Sequence, residues 1–170
     1  MTNTINITTK LNKATLKIGS QGKEVKELQK LLYTYGAYTL ICNYEPEKIL
    51  VDGIFGETTK AAVIAFQDRV FIKTDGIVSD KTWRALYKGA PVDMPEVKRG
   101  SNNVELVKLI QIRLLVNFDY EDAIDGSFGI KTELAVKSLQ KRTSLPITGV
   151  VNERTWFELS KLSFGSCEGC

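Results

Sequence analysis

The feature that most constrains this chain of 170 residues is an internal repeat. The segment at 52–56, Asp-Gly-Ile-Phe-Gly, recurs 73 residues later at 125–129 as Asp-Gly-Ser-Phe-Gly. At the same offset, without a gap, a threonine, an Ala-Val pair, a glutamine, a glycine, a Thr-Trp pair and a leucine also recur. Glycine, tryptophan and phenylalanine occupy structurally demanding positions, so this agreement indicates a duplicated folding unit.

An upstream element repeats at a slightly larger offset. Lys17–Ser20 matches 98–101 at offset 81, and Gln29 matches Gln111 at offset 82. The drop in offset from 82 to 73 places nine extra residues in the first copy, between Leu32 and Val51. The predicted organisation is an N-terminal segment at 1–15, a first domain at 16–88, a Gly/Pro-punctuated linker at 89–96, a second domain at 97–162 and a C-terminal tail at 163–170.

Apolar spacing predicts an all-α fold made of two small three-helix modules. The first helix is expected near 23–35 and 103–116, with Ser20 and Asn102 as N-caps. The second should follow Gly56 and Gly129, and the third should start at Ser79 and Asn152. The side chains expected inward on the first helices are Val25, Leu28, Leu31, Leu32 and Tyr35 in copy one, and Val107, Ile110, Leu114 and Leu115 in copy two.

Composition excludes several classes of function. The chain has no histidine, which removes Ser-His-Asp and Cys-His catalysis and zinc hydrolysis with histidine ligands. A net charge of +3 is too weak to indicate nucleic acid or an anionic membrane as partner. No apolar run has the length of a signal peptide or a membrane span. We therefore expect no cofactor, no nucleic acid and no membrane.

The three cysteines do not form a familiar framework. Cys42 stands alone, and Cys167 and Cys170 form a C-x-x-C at the C-terminal end. A closed zinc site needs four ligands, so no metal site is expected within one chain, although two chains could share one. A tail without a fixed role and a local or intermolecular disulfide remain the alternatives.

The two copies share a longer ordered pattern. Copy one carries Gly-Ser-x-Gly at 19–22, Leu-Gln at 28–29, D-G-x-F-G-x-x-T-x-x-A-V-x-x-F-Q at 52–67 and D-G-x-x-x-x-x-T-W-x-x-L at 75–86. Copy two departs from it at Asn103, Leu139 and Thr148. Each copy resembles the peptidoglycan-binding domain that accompanies the catalytic domains of cell-wall hydrolases, and together the copies cover almost the whole chain.

The resemblance implies a protein that binds peptidoglycan, through glycan strand or stem peptide, without being an enzyme. It would be associated with a bacterial cell wall or carried on a phage particle. Two modules on one chain would strengthen wall anchoring through effective concentration. Two other hypotheses stay open: an assembly protein of a phage-like particle that contacts protein partners, and a wall hydrolase, which would need an acid/base pair in one cleft.

Polar residues that recur beside the Asp-Gly turns are the candidate ligand-binding residues. Amides and hydroxyls suit N-acetyl and stem-peptide groups, and arginine suits a carboxylate. A cluster of tyrosines in the extra segment adds two contact candidates. The candidate list is Asp52, Thr59, Gln67, Arg69, Tyr38, Tyr44, Asp125, Thr132, Gln140 and Arg142. The structural alternative is that each Asp caps its own turn and each Gln satisfies a neighbouring backbone.

Overall fold

A computed structural model of the chain describes residues 11–38 and 47–162. The chain divides into two compact units, residues 1–92 and 93–170, which we call module 1 and module 2. Four residues singled out above, Cys42, Tyr44, Cys167 and Cys170, lie outside the described residues.

The described residues form seven helices, which confirms the predicted all-α fold. In order they are α1 (Lys23–Thr34), α2 (Glu47–Leu50), α3 (Glu57–Arg69), α4 (Asp80–Lys88), α5 (Val104–Val116), α6 (Ile130–Arg142) and α7 (Glu153–Lys161). Helix α1 contacts α2, α3 and α4, and α5 contacts α6 and α7. The short α2 lies in the region of the extra residues and was not predicted. Within 11–38 and 47–162, none of these helices has the length and apolar character needed to span a membrane.

The predicted N-caps of the first helices are wrong. The N-cap of α1 is Gly22, and that of α5 is Asn103, whose side chain accepts a hydrogen bond from a backbone N–H of the first turn. Ser20 was the expected cap, but its hydroxyl accepts the N–H of Lys17 at 3.1 Å. Ser20 therefore closes a turn ahead of the helix, and the N-cap falls two residues later, at Gly22. Asn102 lies one residue before the observed cap.

Tryptophan is the centre of each module's core. Trp83 and Trp156 are at most 1% exposed, and Leu86 and Leu159 are fully buried beside them on the same helices. One inward prediction is wrong: Leu115 is 41% exposed. Gln111 lies inward on the same helix instead.

A short extended segment precedes each first helix and crosses the turns of its own module. Leu16 forms an antiparallel bridge with Val78, and Gln21 forms one with Ile54. In module 2, the bridge between Val97 and Val151 repeats the first of these. Each tryptophan Nε1–H fixes the start of this segment, since Trp83 donates to Ala14 at 3.0 Å and Trp156 to Pro95 at 2.8 Å.

The segment predicted as a linker, 89–96, contributes residues to the packing of each module. Val92 is 4% exposed and belongs to the core of module 1. The carbonyl of Pro95 accepts the tryptophan N–H of module 2. Gly89, with φ of 65°, terminates α4 in a left-handed conformation.

In the Asp-Gly turn at 52–56, two structural features require glycine at position 53, and neither is present at Gly56. Gly53 has φ of +86°, and a Cβ there would lie 2.8 Å from Cε of Lys26. Gly56 has φ of −94°, and a Cβ there would have no atom within 4 Å.

We expect Gly53→Ala to lower the free energy of unfolding by about 2 kcal/mol, because the alanine must adopt a left-handed backbone and displace the Lys26 stem. Gly56→Ala is the matched control in the same turn and should cost less than about 1 kcal/mol. Urea denaturation of both variants measures the difference. Equal losses would contradict this account of the turn.

Candidate functional site

Four glutamines are buried in the two modules, and each serves the same purpose. Gln29 lies on α1, Gln67 on α3, Gln111 on α5 and Gln140 on α6. Each is at most 1% exposed. A buried primary amide needs partners for both its oxygen and its nitrogen, and each of these finds them in one turn of the chain. We call each such arrangement a glutamine clamp.

The clamp of Gln29 shows the geometry. Its Oε1 accepts the backbone N–H of Gly53 at 2.8 Å. Its Nε2 lies 2.8 Å from Oδ1 of Asp52, 3.1 Å from the carbonyl oxygen of Ile54 and 3.1 Å from Oγ1 of Thr59. One side chain therefore fixes the turn at 52–56 and the first turn of α3 together.

The other three clamps repeat this geometry. Oε1 of Gln67, Gln111 and Gln140 accepts the N–H of Gly76, Gly126 and Gly149, each at 2.9 Å. The Nε2 atoms contact the threonine hydroxyls of the following helices, at 3.4 Å from Thr82, 3.1 Å from Thr132 and 3.1 Å from Thr155. Every main helix after the first in each module is thus positioned by an amide from the helix before it.

A regular spacing in the sequence marks this arrangement, although it did not enter the choice of candidate residues. Each clamped glycine precedes its threonine by six residues, at 53 and 59, 76 and 82, 126 and 132, and 149 and 155. The repeat is therefore present twice within each module. This spacing points to Asp75, Thr82, Thr148 and Thr155, which the candidate list missed. The list also missed Gln29 and Gln111, for which the spacing gives no signal, since the glutamines lie at varying distances from their glycines.

The aspartates of the clamps have lowered pKa values. Burial raises the pKa of the Asp52 carboxyl, but hydrogen bonds from the Gln29 amide and the Ile54 N–H outweigh it and leave the pKa below its usual range. The N–H of Ile77 is the main cause that lowers the pKa of Asp75. The Gln111 amide is the main cause for Asp125. These three carboxylates are ionised at neutral pH and accept hydrogen bonds, whereas a general acid must hold a proton there.

The structure divides the predicted ligand-binding residues between separate turns. Asp52 and Thr59 meet at the Gln29 amide, whereas Gln67 belongs to the turn at 75–79. In module 2, Asp125 and Thr132 meet at Gln111, and Gln140 belongs to the turn at 148–152. The threonines and glutamines are at most 4% exposed, and their polar atoms contact the chain itself. Their contact with a ligand stays a prediction.

The two predicted arginines have different surroundings. The Arg69 guanidinium lies over the neighbouring rings of Tyr35 and Phe66, 5.2 and 5.1 Å from their centroids, and donates to the Tyr35 carbonyl at 3.0 Å. Burial lowers the pKa of its guanidinium from the ordinary value. Arg142 instead pairs with Asp119, and its side chain is 49% exposed. Arg69 therefore supports the end of α1, and Arg142 reaches the surface.

The structure describes one of the two tyrosine candidates. Tyr38 is 3% exposed and belongs to the core of module 1. The corresponding residue of module 2, Tyr120, is 5% exposed, and its hydroxyl accepts from the Gln111 amide at 3.2 Å. Tyr44 lies outside the described residues.

Comparison with known families matches both modules. The family described as "Putative peptidoglycan binding domain" matches residues 21–86 and again residues 103–159. The matched ranges contain all four glutamine clamps.

Two curated relatives come from Bacillus licheniformis. The chain is 30% identical over 158 residues to a "Probable N-acetylmuramoyl-L-alanine amidase", a match that covers 82% of this chain and 43% of the relative. It is 30% identical over 170 residues to "N-acetylmuramoyl-L-alanine amidase CwlL", covering 86% of this chain and 45% of the relative. The chain spans less than half the length of these relatives. Their names overturn the prediction that the chain is not an enzyme, because similarity over most of the chain is to proteins named as enzymes.

We expect Gln29→Ala to lower the free energy of unfolding by about 3 kcal/mol, since it leaves the Gly53 N–H and the Thr59 hydroxyl without their buried partner. Gln21→Ala, an exposed glutamine of the same module, is the control and should change stability by less than about 0.5 kcal/mol. Chemical denaturation measures both. A Gln29→Ala variant as stable as the control would refute the clamp as a stabilising element.

The lowered pKa of Asp52 predicts a pH dependence of stability. A carboxyl whose pKa is lower in the folded than in the unfolded chain stabilises the fold above the ordinary carboxyl range, about pH 4, and this contribution disappears as the pH falls through the folded-state pKa. Asp52→Asn should therefore be less stable than the parent at pH 7, and the gap should close toward pH 3. Thermal unfolding across this range measures the gap.

The control for this series is Glu121→Gln, an exposed carboxyl of module 2, which should remain close to the parent. A gap for Asp52→Asn that is constant from pH 7 to pH 3 would show that the charge of Asp52 does not contribute.

Proposed function

The chain belongs to the peptidoglycan-binding domain family, and from this premise we propose that it binds the peptidoglycan of the bacterial cell wall through both modules. The observation that carries the proposal is the double match, at 21–86 and 103–159, on two modules with the same clamped turns. A single module with weak affinity for peptidoglycan would not anchor the protein to the wall. Two modules on one chain make the second contact intramolecular, which raises the apparent affinity when both engage.

We place the chain in the system that cleaves the wall. The curated relatives are named as amidases of N-acetylmuramoyl-L-alanine, and the match covers more than four-fifths of this chain. In this proposal, binding by the two modules keeps amidase activity at its substrate, the bond between the muramoyl sugar and the stem peptide. Wall association at the outside of a bacterial cell follows from the same binding.

The alternative, an assembly protein of a phage-like particle, makes the opposite prediction for a wall. It requires stable contact with a protein neighbour and no affinity for peptidoglycan.

The test is co-sedimentation of the whole chain with insoluble peptidoglycan from several bacterial wall types. We expect retention in the pellet on at least one wall type, and none on insoluble cellulose, a glycan without N-acetyl groups or peptide. No retention on any wall would contradict the proposal and favour the assembly protein.

The whole wall suspension of the same experiment, pellet and supernatant together, tests the second part. Amidase cleavage frees one amino group for each bond broken, so newly freed amino groups should increase with time. Retention without any freed amino groups would leave wall binding and remove the link to cleavage.

A further inference from the structure

Phe118 is the most exposed large apolar residue among those that the structure describes. Its side chain is 91% exposed. Its φ is +60°, a left-handed conformation that a bulky side chain rarely adopts. A ring in solvent contributes nothing to the core, and this backbone favours glycine, so neither packing nor local geometry explains a phenylalanine here.

The duplicated module shows what the fold itself requires at this position. Gly36 occupies the equivalent place after α1, 82 residues earlier, with φ of +66°. The backbone bonds correspond: Gly36 N–H donates to Tyr33 and Phe118 N–H donates to Leu115, at 2.9 and 3.1 Å. The turn therefore forms with glycine, and the ring is an addition made in module 2 alone.

Fixed polar groups follow Phe118 directly in the chain. Asp119 follows Phe118 directly, and its carboxylate, only 6% exposed, accepts from the Ser138 hydroxyl at 3.1 Å and from the Arg142 guanidinium. This buried carboxylate orients Arg142, whose side chain remains half exposed. A guanidinium held in this way offers N–H donors to an oxygen at the surface.

An exposed ring, in the residue before the carboxylate that holds a half-exposed guanidinium, suits one class of ligand. A pyranose sugar presents C–H bonds on one face and oxygen atoms at its rim. C–H groups are attracted to the negative face of an aromatic ring, and the carbonyl of an N-acetyl group accepts from guanidinium N–H.

We propose that Phe118 and Arg142 form a glycan subsite of module 2, in which the ring stacks on an N-acetylated sugar of the peptidoglycan strand and the guanidinium donates to an oxygen at its rim. The subsite rests on the proposed wall binding and assigns the glycan, rather than the stem peptide, to this surface.

A protein partner fits these observations less well. In the chain around Phe118, Leu115 is 41% exposed, and the Asp119–Arg142 pair follows at once. A stable protein interface needs a much larger surface with an apolar centre. One exposed ring, followed in the chain by an oriented charge pair, suits the size and polarity of one sugar unit.

The chain offers a matched pair of variants for the test. Phe118→Gly removes the ring and relieves the left-handed backbone. Ser144→Gly relieves the same kind of backbone, with φ of 57°, at another exposed position of module 2 and removes no ring. Phe118→Tyr retains the stacking face. All are made in the whole chain.

We expect Phe118→Gly to weaken wall retention by about threefold to tenfold, the range of one aromatic contact, while its melting temperature stays equal or rises. Ser144→Gly and Phe118→Tyr should retain parental binding. In an NMR titration with a tetramer of N-acetylglucosamine, a probe without peptide, the Phe118 ring signals should shift, and a stem-type peptide should leave them unchanged.

Each other outcome is decisive. Wall retention by Phe118→Gly equal to the parent would overturn the subsite and leave the proposed function standing. A fall in the melting temperature of Phe118→Gly would assign the ring to the fold and overturn the subsite. Ring signals that shift with the peptide alone would overturn the assignment to glycan. Failure of the parent chain to bind any wall would refute the proposed function and the subsite with it.

Discussion

The buried amide of glutamine is the interaction on which each module depends. A domain of this size has a thin apolar core, so the relative placement of its helices needs further constraints. One side chain supplies several of them, because the oxygen of Gln29 fixes Gly53 and its nitrogen fixes the hydroxyl of Thr59. The clamp works only in the dry interior, where an unpaired amide is costly and a fully paired one specifies a single arrangement. Four such clamps connect the helices, two within each module.

The helices could be predicted from the sequence because their signals are local. Apolar spacing, an Asn at the start of α7 and glycine at the end of α4 act within a few residues. The duplication then confirmed each element by its counterpart. The errors arose where a local signal had two uses. Ser20 is a good N-cap type, but its hydroxyl serves the preceding turn, and Leu115 follows the apolar spacing of α5 but points outward.

The candidate site was harder to predict because its contacts are not local. Gln29 and the turn it holds are 24 residues apart, and nothing near Gln29 shows that its side chain turns inward. Glutamine is most often a surface residue, so burial must be inferred from the partner. The exposed ring of Phe118 was not predicted because aromatic residues are most often buried. A single aromatic residue after a helix resembles any packed residue until its exposure and backbone are known.

The two modules keep the same clamped turns and the same buried tryptophan and differ in residues that they expose, which is the pattern expected when one scaffold carries different contacts. Both modules depend on the clamps, and the most direct measurement of the clamps is amide hydrogen exchange at Gly53, Gly76, Gly126 and Gly149. Amides in surface turns ordinarily exchange fast, but these four donate to buried glutamine oxygens. We predict that these four amides are protected as strongly as the core helix amides of the same module. Fast exchange at these glycines, with the helices protected, would contradict this prediction.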